Sequence, residues 1–299
     1  MQVALTPKGP PMAFAATPVT EVDSHRQTVS TNGLQYSYLQ YGAPDAPPVV
    51  LLHGVWSTGA VWHDISMALA EMHQVRVVDF RGRSQTDWSP NGDYSTEACV
   101  ADVLGLYEAW GLQSATLVGH SMGGGIATAL AAEHPERVDS LVVIDAGPVM
   151  RSGSAVEFER QLVSLSQDFP SMAAARAWQR QALPNISEDA VERRLDARLV
   201  ERDGRVVWRE DSRIRTSRLL TVRPSEDEMW KRFLSVKAPT LFVLGGNSQL
   251  VTEEAEKRLT TEMVDARSVR IVNAGHNVFE DNHDDTIAAI GAFLGGSQQ

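Results

Sequence analysis

The chain has 299 residues, of which 43% are hydrophobic and 22% are charged, and its formal net charge is −11. The apolar fraction is sufficient for a packed core, which excludes wholesale disorder. The acidic balance argues against nucleic acid or an anionic membrane surface as a partner, because both attract basic faces. The single cysteine, Cys99, cannot form an intrachain disulfide. We therefore expect a small buried side chain there and no dependence on an oxidising compartment.

The N-terminal residues 1–25 contain four prolines and no continuous apolar segment. We interpret them as a flexible tail rather than a signal peptide. No apolar stretch in the chain approaches the roughly 18 residues of a membrane span, so the cytoplasm is the expected location. Residues 27–40 then predict a hairpin, because Asn32-Gly33 is a strong signal for a tight turn between two strands.

Short apolar segments alternate with helical patterns along most of the remaining chain. The apolar segments cover residues 48–52, 75–80, 115–118, 140–144, 240–244 and 269–272. Such segments, closed by glycine or proline, are typical of strands buried on both faces. The helical patterns cover residues 61–72, 95–110, 122–133, 253–262 and 286–294. Together with the hairpin, this alternation predicts an α/β fold whose mostly parallel, eight-stranded sheet is covered by helices on both faces.

An arginine-rich segment, residues 149–236, interrupts the alternation. The part from Arg151 to Val236 holds 15 arginines, and its 16 basic and 14 acidic residues contrast with the acidic flanks. Its pattern predicts helices at 155–166, 173–182, 187–200 and 225–234. We therefore predict a core formed by 26–148 and 237–299, with 149–236 inserted after the sixth strand as a helical cap over the ligand site.

The strongest chemical motif is Gly119-His120-Ser121-Met122-Gly123, which lies between a predicted strand and a predicted helix. In that context G-x-S-x-G forms a tight turn, the nucleophile elbow, which raises the serine hydroxyl above the sheet. The turn has no room for side chains at Gly119 and Gly123. The following helix directs backbone N–H groups and the positive end of its dipole toward the same point. A glycine-rich turn without function is the alternative.

The sequence resembles the α/β-hydrolase superfamily over residues 26–299. The resemblance is carried by the elbow and by Leu51-Leu52-His53-Gly54, Asp79-Phe80-Arg81-Gly82 and Ala274-Gly275-His276. One departure is Ser84, where the family often has glycine. The resemblance implies a serine nucleophile, Ser121, and an oxyanion hole formed by the backbone N–H groups of Met122 and Val55. It also implies that His276, which follows the last strand, is the general base.

The acid that completes the triad departs from the common family pattern. The usual aspartate follows the seventh strand of the fold, where this sequence has Gln249. An amide orients an imidazole but does not balance its positive charge. Asp145 ends the sixth strand, where some members of the family carry the acid, and we expect it to take this role. The alternative is that Asp145 only caps its strand; Glu253 and Glu254 fit less well.

Several aromatic residues and histidines are candidates for the walls of the pocket. They are His53, Trp56, Trp62, His120, Trp178 and Trp208. His53 and His120 also belong to the motifs as structural supports, and core packing is the alternative for Trp56 and Trp62. Trp230 is a further candidate for the roof of an apolar pocket. Most arginines of the cap are expected to be solvated or paired, although one or two could bind a substrate carboxylate.

These residues predict a serine hydrolase that acts on small carboxylic esters or lactones through an acyl-enzyme, without a cofactor. No Cys or His cluster has the spacing of a metal site, and none is expected. The expected partner is a small apolar or aromatic substrate, and a homodimer remains open. Alternatives on the same site are C–C or amide bond hydrolysis and cofactor-free oxygenation, in which Ser121 would be dispensable. A non-catalytic binding protein on this scaffold is the third reading.

Overall fold

The computed structural model of the protein describes residues 25–149, 168–184, 186–216 and 224–296. The predicted tail, apart from His25, and the predicted helix at 155–166 lie outside these residues. The strands in chain order are β1 (Arg26–Thr31), β2 (Leu34–Tyr41), β3 (Pro48–Leu52), β4 (Gln74–Val78), β5 (Ala115–His120), β6 (Val138–Ile144), β7 (Asp168–Phe169), β8 (Leu199–Arg202), β9 (Arg205–Trp208), β10 (Thr240–Gly245) and β11 (Ala266–Ile271).

Eight of these strands form the main sheet, in the order β1-β2-β4-β3-β5-β6-β10-β11. β1 pairs antiparallel with β2, and β2 pairs antiparallel with β4, whereas the pairs from β4 onward are parallel. The predicted eight-stranded, mostly parallel sheet is confirmed. The hairpin turn is also confirmed, because Asn32 and Gly33 both have positive φ, 53° and 75°. β5 runs two residues past its predicted end, since Gly119 and His120 still pair with β6.

The helices of the described residues lie between these strands. They are α1 (His63–Leu69), α2 (Thr96–Trp110), α3 (Met122–Glu133), α4 (Met172–Ala182), α5 (Glu188–Arg198), α6 (Glu226–Ser235), α7 (Glu253–Glu262), α8 (Val278–Asp281) and α9 (His283–Gly296). The bounds of α3 and α7 are those predicted. The prediction at 61–72 is wrong at both ends, because a 3₁₀ turn (Gly59–Trp62) precedes α1 and the helix ends at Leu69. No helix within the described ranges is long and apolar enough to span a membrane.

Two apolar layers cover the main sheet, one on each face. One layer includes α2, α3 and the buried Cys99; the other includes α1, α9 and Trp62. Burial raises the pKa of the Cys99 thiol to about 12, so this side chain is a neutral member of the core, as predicted. Layers on both faces leave the carboxyl ends of the parallel strands as the exposed edge where loops meet, which positions the site.

The segment between β6 and β10 is not wholly helical, and that part of the prediction is wrong. β7, β9 and β8 form a separate antiparallel sheet, and the predicted helix at 187–200 ends at Arg198. The turn between β8 and β9 is Asp203-Gly204, with φ of 51° and 74°. Asp-Gly is a strong hairpin signal, and it stands between residues that favour strands. The arginines and glutamates around this turn interrupt the apolar pattern of a strand, and for this reason the hairpin was not predicted.

We call the described residues of 168–235 the insert. Two ion pairs anchor its helix α5 to the core: Arg193 pairs with Asp64 of α1, and Arg194 pairs with Glu280 of α8. Helix α6, in contrast, packs on α3, and its Trp230 belongs to the main apolar core. The insert therefore lies against both the start of α1 and the segment after β11. The limits of a cap domain remain a prediction.

Candidate active site

The turn between β5 and α3 holds Ser121 in a conformation that L-residues rarely adopt, with φ of 53° and ψ of −117°. Neighbouring backbone leaves no space for two β-carbons of this turn. A β-carbon on Gly119 would lie 2.4 Å from the Gly123 carbonyl oxygen, and one on Gly123 would lie 2.2 Å from the Leu52 carbonyl oxygen. The predicted steric need for both glycines is confirmed.

The structure brings Ser121, His276 and Asp145 together, although 131 residues separate the histidine from the aspartate. The His276 Nε2 atom lies 3.1 Å from the Ser121 Oγ atom, and its Nδ1 atom lies 2.7 Å from Asp145 Oδ2. A carboxylate accepts, so Nδ1 carries the proton and donates a hydrogen bond to Asp145. In the neutral ring, Nε2 is then the accepting nitrogen and faces the serine hydroxyl, which is the arrangement that a general base requires.

Asp145 is held as an acceptor for several donors. It is buried, and its φ of 46° turns the chain sharply at the end of β6. The Gly245 N–H donates to Oδ1 at 3.2 Å, and the Ser248 hydroxyl donates to Oδ2 at 2.6 Å. With the His276 contact, the carboxylate accepts three hydrogen bonds. Gln249, at the position usual for the acid, is exposed; its neighbour Ser248 reaches the triad instead.

His120 supports the main chain of the histidine loop. Its Nε2–H donates to the His276 carbonyl oxygen at 2.8 Å, and its ring packs edge-on against Phe279. Burial lowers the pKa of His120 well below its ordinary value, and the neighbouring His276 lowers it further. His120 is therefore neutral and acts as a fixed donor. Its position next to Ser121 in the sequence couples the elbow to the loop that carries the candidate base.

His53 supports the other candidate donor, the Val55 N–H. The Phe80 N–H donates to His53 Nε2 at 3.2 Å, so Nδ1 carries the proton and donates to the Gly54 carbonyl at 2.7 Å. In a trans peptide the carbonyl and the next N–H point in opposite directions, so this bond turns the Val55 N–H away from His53. Burial lowers the pKa of His53 to about 3, which keeps the ring neutral.

The two residues that carry the candidate oxyanion donors pack against each other. Val55 and Met122 share one small apolar cluster, which also contains Trp56. A β-carbon on Gly54 would lie 3.5 Å from the Ser121 β-carbon, so this loop rests against the elbow. Backbone N–H groups at such a position can hold the negative oxygen that develops when a carbonyl is attacked.

A buried arginine that the sequence analysis did not single out holds this loop in place. Arg83 donates from Nε to the Val55 carbonyl oxygen at 3.2 Å, and its Nη2 lies 3.7 Å from the Met122 sulfur. The guanidinium thus contacts both residues that carry the candidate oxyanion donors. The only local signal for this role was its position directly after Arg81-Gly82, a motif that carried the family resemblance.

Comparisons with known proteins show the family to which the chain belongs. A family model for the alpha/beta hydrolase fold matches residues 47–283. The chain belongs to this family. This α/β hydrolase is 30% identical to the sn-1-specific diacylglycerol lipase of Mus musculus, over 93% of this chain and 92% of the relative. It is 28% identical to the 2-(acetamidomethylene)succinate hydrolase of Mesorhizobium japonicum, over 83% of this chain and 88% of the relative.

A solved structure shares the fold along almost the whole chain. The crystal structure of E-2-(acetamidomethylene)succinate hydrolase superposes on this α/β hydrolase with a TM-score of 0.82 at 26% identity, covering 90% of this chain and 98% of that one. These relatives are hydrolases by name, and they share the fold of this chain. Within the described part of this chain, no group of three or more His, Cys, Asp or Glu side chains is arranged to hold a metal ion.

The aromatic pocket candidates of the hydrolase occupy different places. Trp62 is fully buried and stacks on Phe279, with ring centroids 4.4 Å apart. It therefore packs in the core, which was the alternative to a place in the pocket wall. His53 is likewise fully buried, where it supports the Val55 loop. Trp178 and Trp208 pack edge to face in the insert, with centroids 5.7 Å apart. Their place over a substrate remains a prediction, whereas Trp230 belongs to the core.

Proposed function

We propose that this α/β hydrolase is a serine hydrolase that cleaves small carboxylic esters or lactones through an acyl-enzyme. The observation that carries the proposal is the continuous chain of contacts from the Asp145 carboxylate through the His276 ring to the Ser121 hydroxyl. The contact of Nδ1 with Asp145 supports the proposal, because it favours the ring tautomer whose other nitrogen, Nε2, faces the nucleophile as an acceptor.

The reaction begins when His276 Nε2 accepts the Ser121 proton as Oγ attacks the carbonyl carbon. The negative oxygen of the tetrahedral intermediate is bound by the N–H groups of Met122 and Val55. His276, now positively charged, is stabilised by Asp145 and donates its proton to the departing alkoxide. Water then attacks the acyl-enzyme with His276 again as the base, and the carboxylic acid leaves.

Amide hydrolysis is the second candidate function. The relative named as a 2-(acetamidomethylene)succinate hydrolase has a named substrate with an acetamido group rather than an ester. The same residues could act on such a bond, because His276 can protonate a departing amine as it protonates an alkoxide. The diacylglycerol lipase among the relatives supports the ester as the first candidate.

Labelling with a fluorophosphonate tests the proposal directly. We expect the intact protein to gain one phosphonyl group, located on Ser121 by mass spectrometry of peptides, and to hydrolyse 4-nitrophenyl acetate. Ser121→Ala should lose both the label and at least about 10³-fold in kcat/KM. Ser114→Ala, which changes a serine in the loop before β5, is the matched control and should retain both. A folded protein whose Ser121 stays unlabelled would refute the proposal.

A further inference from the structure

The loop that carries Val55 is held on both sides of its candidate oxyanion donor. The Gly54 carbonyl accepts a hydrogen bond from His53 Nδ1 at 2.7 Å, and the Val55 carbonyl accepts one from Arg83 Nε at 3.2 Å. These two carbonyls belong to successive peptide planes that meet at the Val55 α-carbon. Because His53 and Arg83 hold one plane each, the direction of the Val55 N–H is fixed from both sides.

Arg83 also reaches the residue that carries the second candidate donor. Its Nη2 lies 3.7 Å from the sulfur of Met122, the first residue of α3, and its Nη1 donates to the Arg81 carbonyl at 3.4 Å. Each nitrogen of one planar, rigid group therefore contacts a different residue. The guanidinium extends from the loop after β3 to the start of α3, so it sets the spacing between Val55 and Met122.

The backbone that carries Arg83 is itself fixed. Its N–H donates to the Phe80 carbonyl at 3.1 Å, and the next residue, Ser84, has a φ of 52°. The Gly82 carbonyl accepts from the N–H of Asp211, a residue of the insert, at 2.9 Å. A tight turn and a contact from a separate segment thus hold the base of the side chain. A group supported in this way keeps its partners in position without reorganisation when charge develops.

The charge of Arg83 forms no ion pair with the described residues. Arg83 is 1% exposed, and its contacts are all to uncharged acceptors. Burial of a guanidinium without a carboxylate is costly, whereas an apolar side chain of similar length would fill the same space at less cost. What arginine adds at this position is a positive charge and directed donors beside the candidate oxyanion hole.

We infer that Arg83 is a positioning residue of the oxyanion hole. Its donors keep the N–H groups of Val55 and Met122 at the spacing that the tetrahedral oxygen requires, and its charge opposes the charge of that oxygen. The inference rests on the proposed function, because it assigns a role in the attack of Ser121 on a carbonyl. Loss of Arg83 should therefore weaken the binding of the transition state more than that of the substrate.

Replacement of Arg83 by methionine tests this inference. Methionine has a similar length and fills the space without a charge or a strong hydrogen-bond donor. Removal of one oxyanion donor costs about 10² to 10³ in kcat, so loss of a support for two donors should lower kcat/KM for 4-nitrophenyl acetate at least about tenfold. Rates are compared per mole of labelled Ser121, counted at the end point of fluorophosphonate labelling, which removes unfolded protein from the comparison. A smaller loss overturns the inference.

A matched pair of inhibitors provides a measurement that a merely structural role would not change. The Ser121 hydroxyl attacks trifluoroacetophenone and forms an adduct whose charged oxygen occupies the oxyanion hole, whereas acetophenone is bound as the intact ketone. In Arg83→Met the inhibition constant of trifluoroacetophenone should rise at least about tenfold relative to that of acetophenone. An unchanged ratio overturns the assignment, even if both constants rise together.

Arg76→Met is the matched control. Arg76 is also buried without an ion pair to the described residues, and its guanidinium lies over the Trp110 ring, 4.9 Å from the centroid. The control should keep kcat/KM and the ratio of inhibition constants within about threefold of the wild type. An equal loss in Arg76→Met and Arg83→Met would contradict a specific role of Arg83.

A second variant keeps the test decisive if Arg83→Met does not fold, as circular dichroism would show. Arg83→Lys retains the buried charge but places a methylene where Nε donates to the Val55 carbonyl. It should lose at least about fivefold in kcat/KM, and wild-type values would overturn the inference. A wild-type protein that neither hydrolyses the ester nor takes up the label refutes the proposed function instead. Full activity in folded Arg83 variants overturns only the role of Arg83.

Discussion

Replacement of Asp145 by asparagine tests the acid of the candidate triad, which lies after the sixth strand of the main sheet and not after the seventh, the usual place in the family. The wild-type carboxylate accepts from the Gly245 N–H, the Ser248 hydroxyl and His276 Nδ1–H, at 3.2, 2.6 and 2.7 Å. Asparagine has nearly the same shape but only one accepting oxygen, and its amide nitrogen donates. The variant therefore keeps the packing of this buried position and changes the hydrogen bonding and the charge.

Neither orientation of the asparagine side chain satisfies all three donors. If its oxygen faces His276 and Ser248, its NH₂ group meets the Gly245 N–H, and two donors are buried against each other. If its oxygen faces Gly245, its NH₂ group meets His276 Nδ1, which must then give up its proton. The proton moves to Nε2, where it faces Ser121, and the ring is no longer a base.

The expected loss follows from these two effects. Asp to Asn in a Ser-His-Asp triad lowers kcat by about 10⁴-fold, which corresponds to about 5.5 kcal/mol of activation free energy. Burial of an unsatisfied donor costs about 1–3 kcal/mol of folding free energy. We therefore expect Asp145→Asn to be folded but less stable, with kcat reduced by about 10³ to 10⁴-fold.

The assay is 4-nitrophenyl acetate hydrolysis near neutral pH, with Ser121→Ala as the background and urea unfolding as the check on the fold. Gln249→Ala is the matched control, because it alters the position usual for the acid, and it should stay within about threefold of the wild type. The reasoning is refuted if folded Asp145→Asn loses less than about tenfold, or if Gln249→Ala loses as much as Asp145→Asn.

The glycines of the elbow, the hydroxyl beside Asp145 and the buried His53 each allow a further prediction. Gly123→Ala should destabilise the protein by about 3 kcal/mol, whereas Gly125→Ala, with open space at its β-carbon, should be neutral or stabilising by about 0.5 kcal/mol in urea unfolding. Ser248→Ala removes a donor to Asp145 and should lower kcat about tenfold; an unchanged kcat would contradict this. His53, whose pKa is about 3, stays neutral in the folded state while the unfolded chain takes up a proton below about pH 6.5. Stability should therefore fall by about 1.4 kcal/mol per pH unit between these values, about 2 kcal/mol at pH 5, and a flat urea midpoint from about pH 7 to 5 would contradict it.

Local patterns in the sequence predict most of the core. The six apolar segments all lie on strands of the main sheet, and α3 and α7 have the predicted bounds. These elements follow from short-range steric and hydrophobic rules, which neighbouring residues satisfy by themselves. In the insert the same rules did not predict the β8–β9 hairpin. Both of its strands carry charged residues, so the Asp-Gly turn is not flanked by clear apolar strand patterns.

The sequence also predicted the tight turn at the elbow. Glycine is required at positions 119 and 123 because a β-carbon there would clash with nearby backbone. The sequence did not predict the geometry around Asp145. The distance from Asp145 to His276, the support of Asp145 by Ser248 and the burial of Arg83 depend on side chains that come from separate parts of the chain. Only the packed sheet and its loops bring these groups together, since a hydrogen bond depends on position in space and not on separation along the chain.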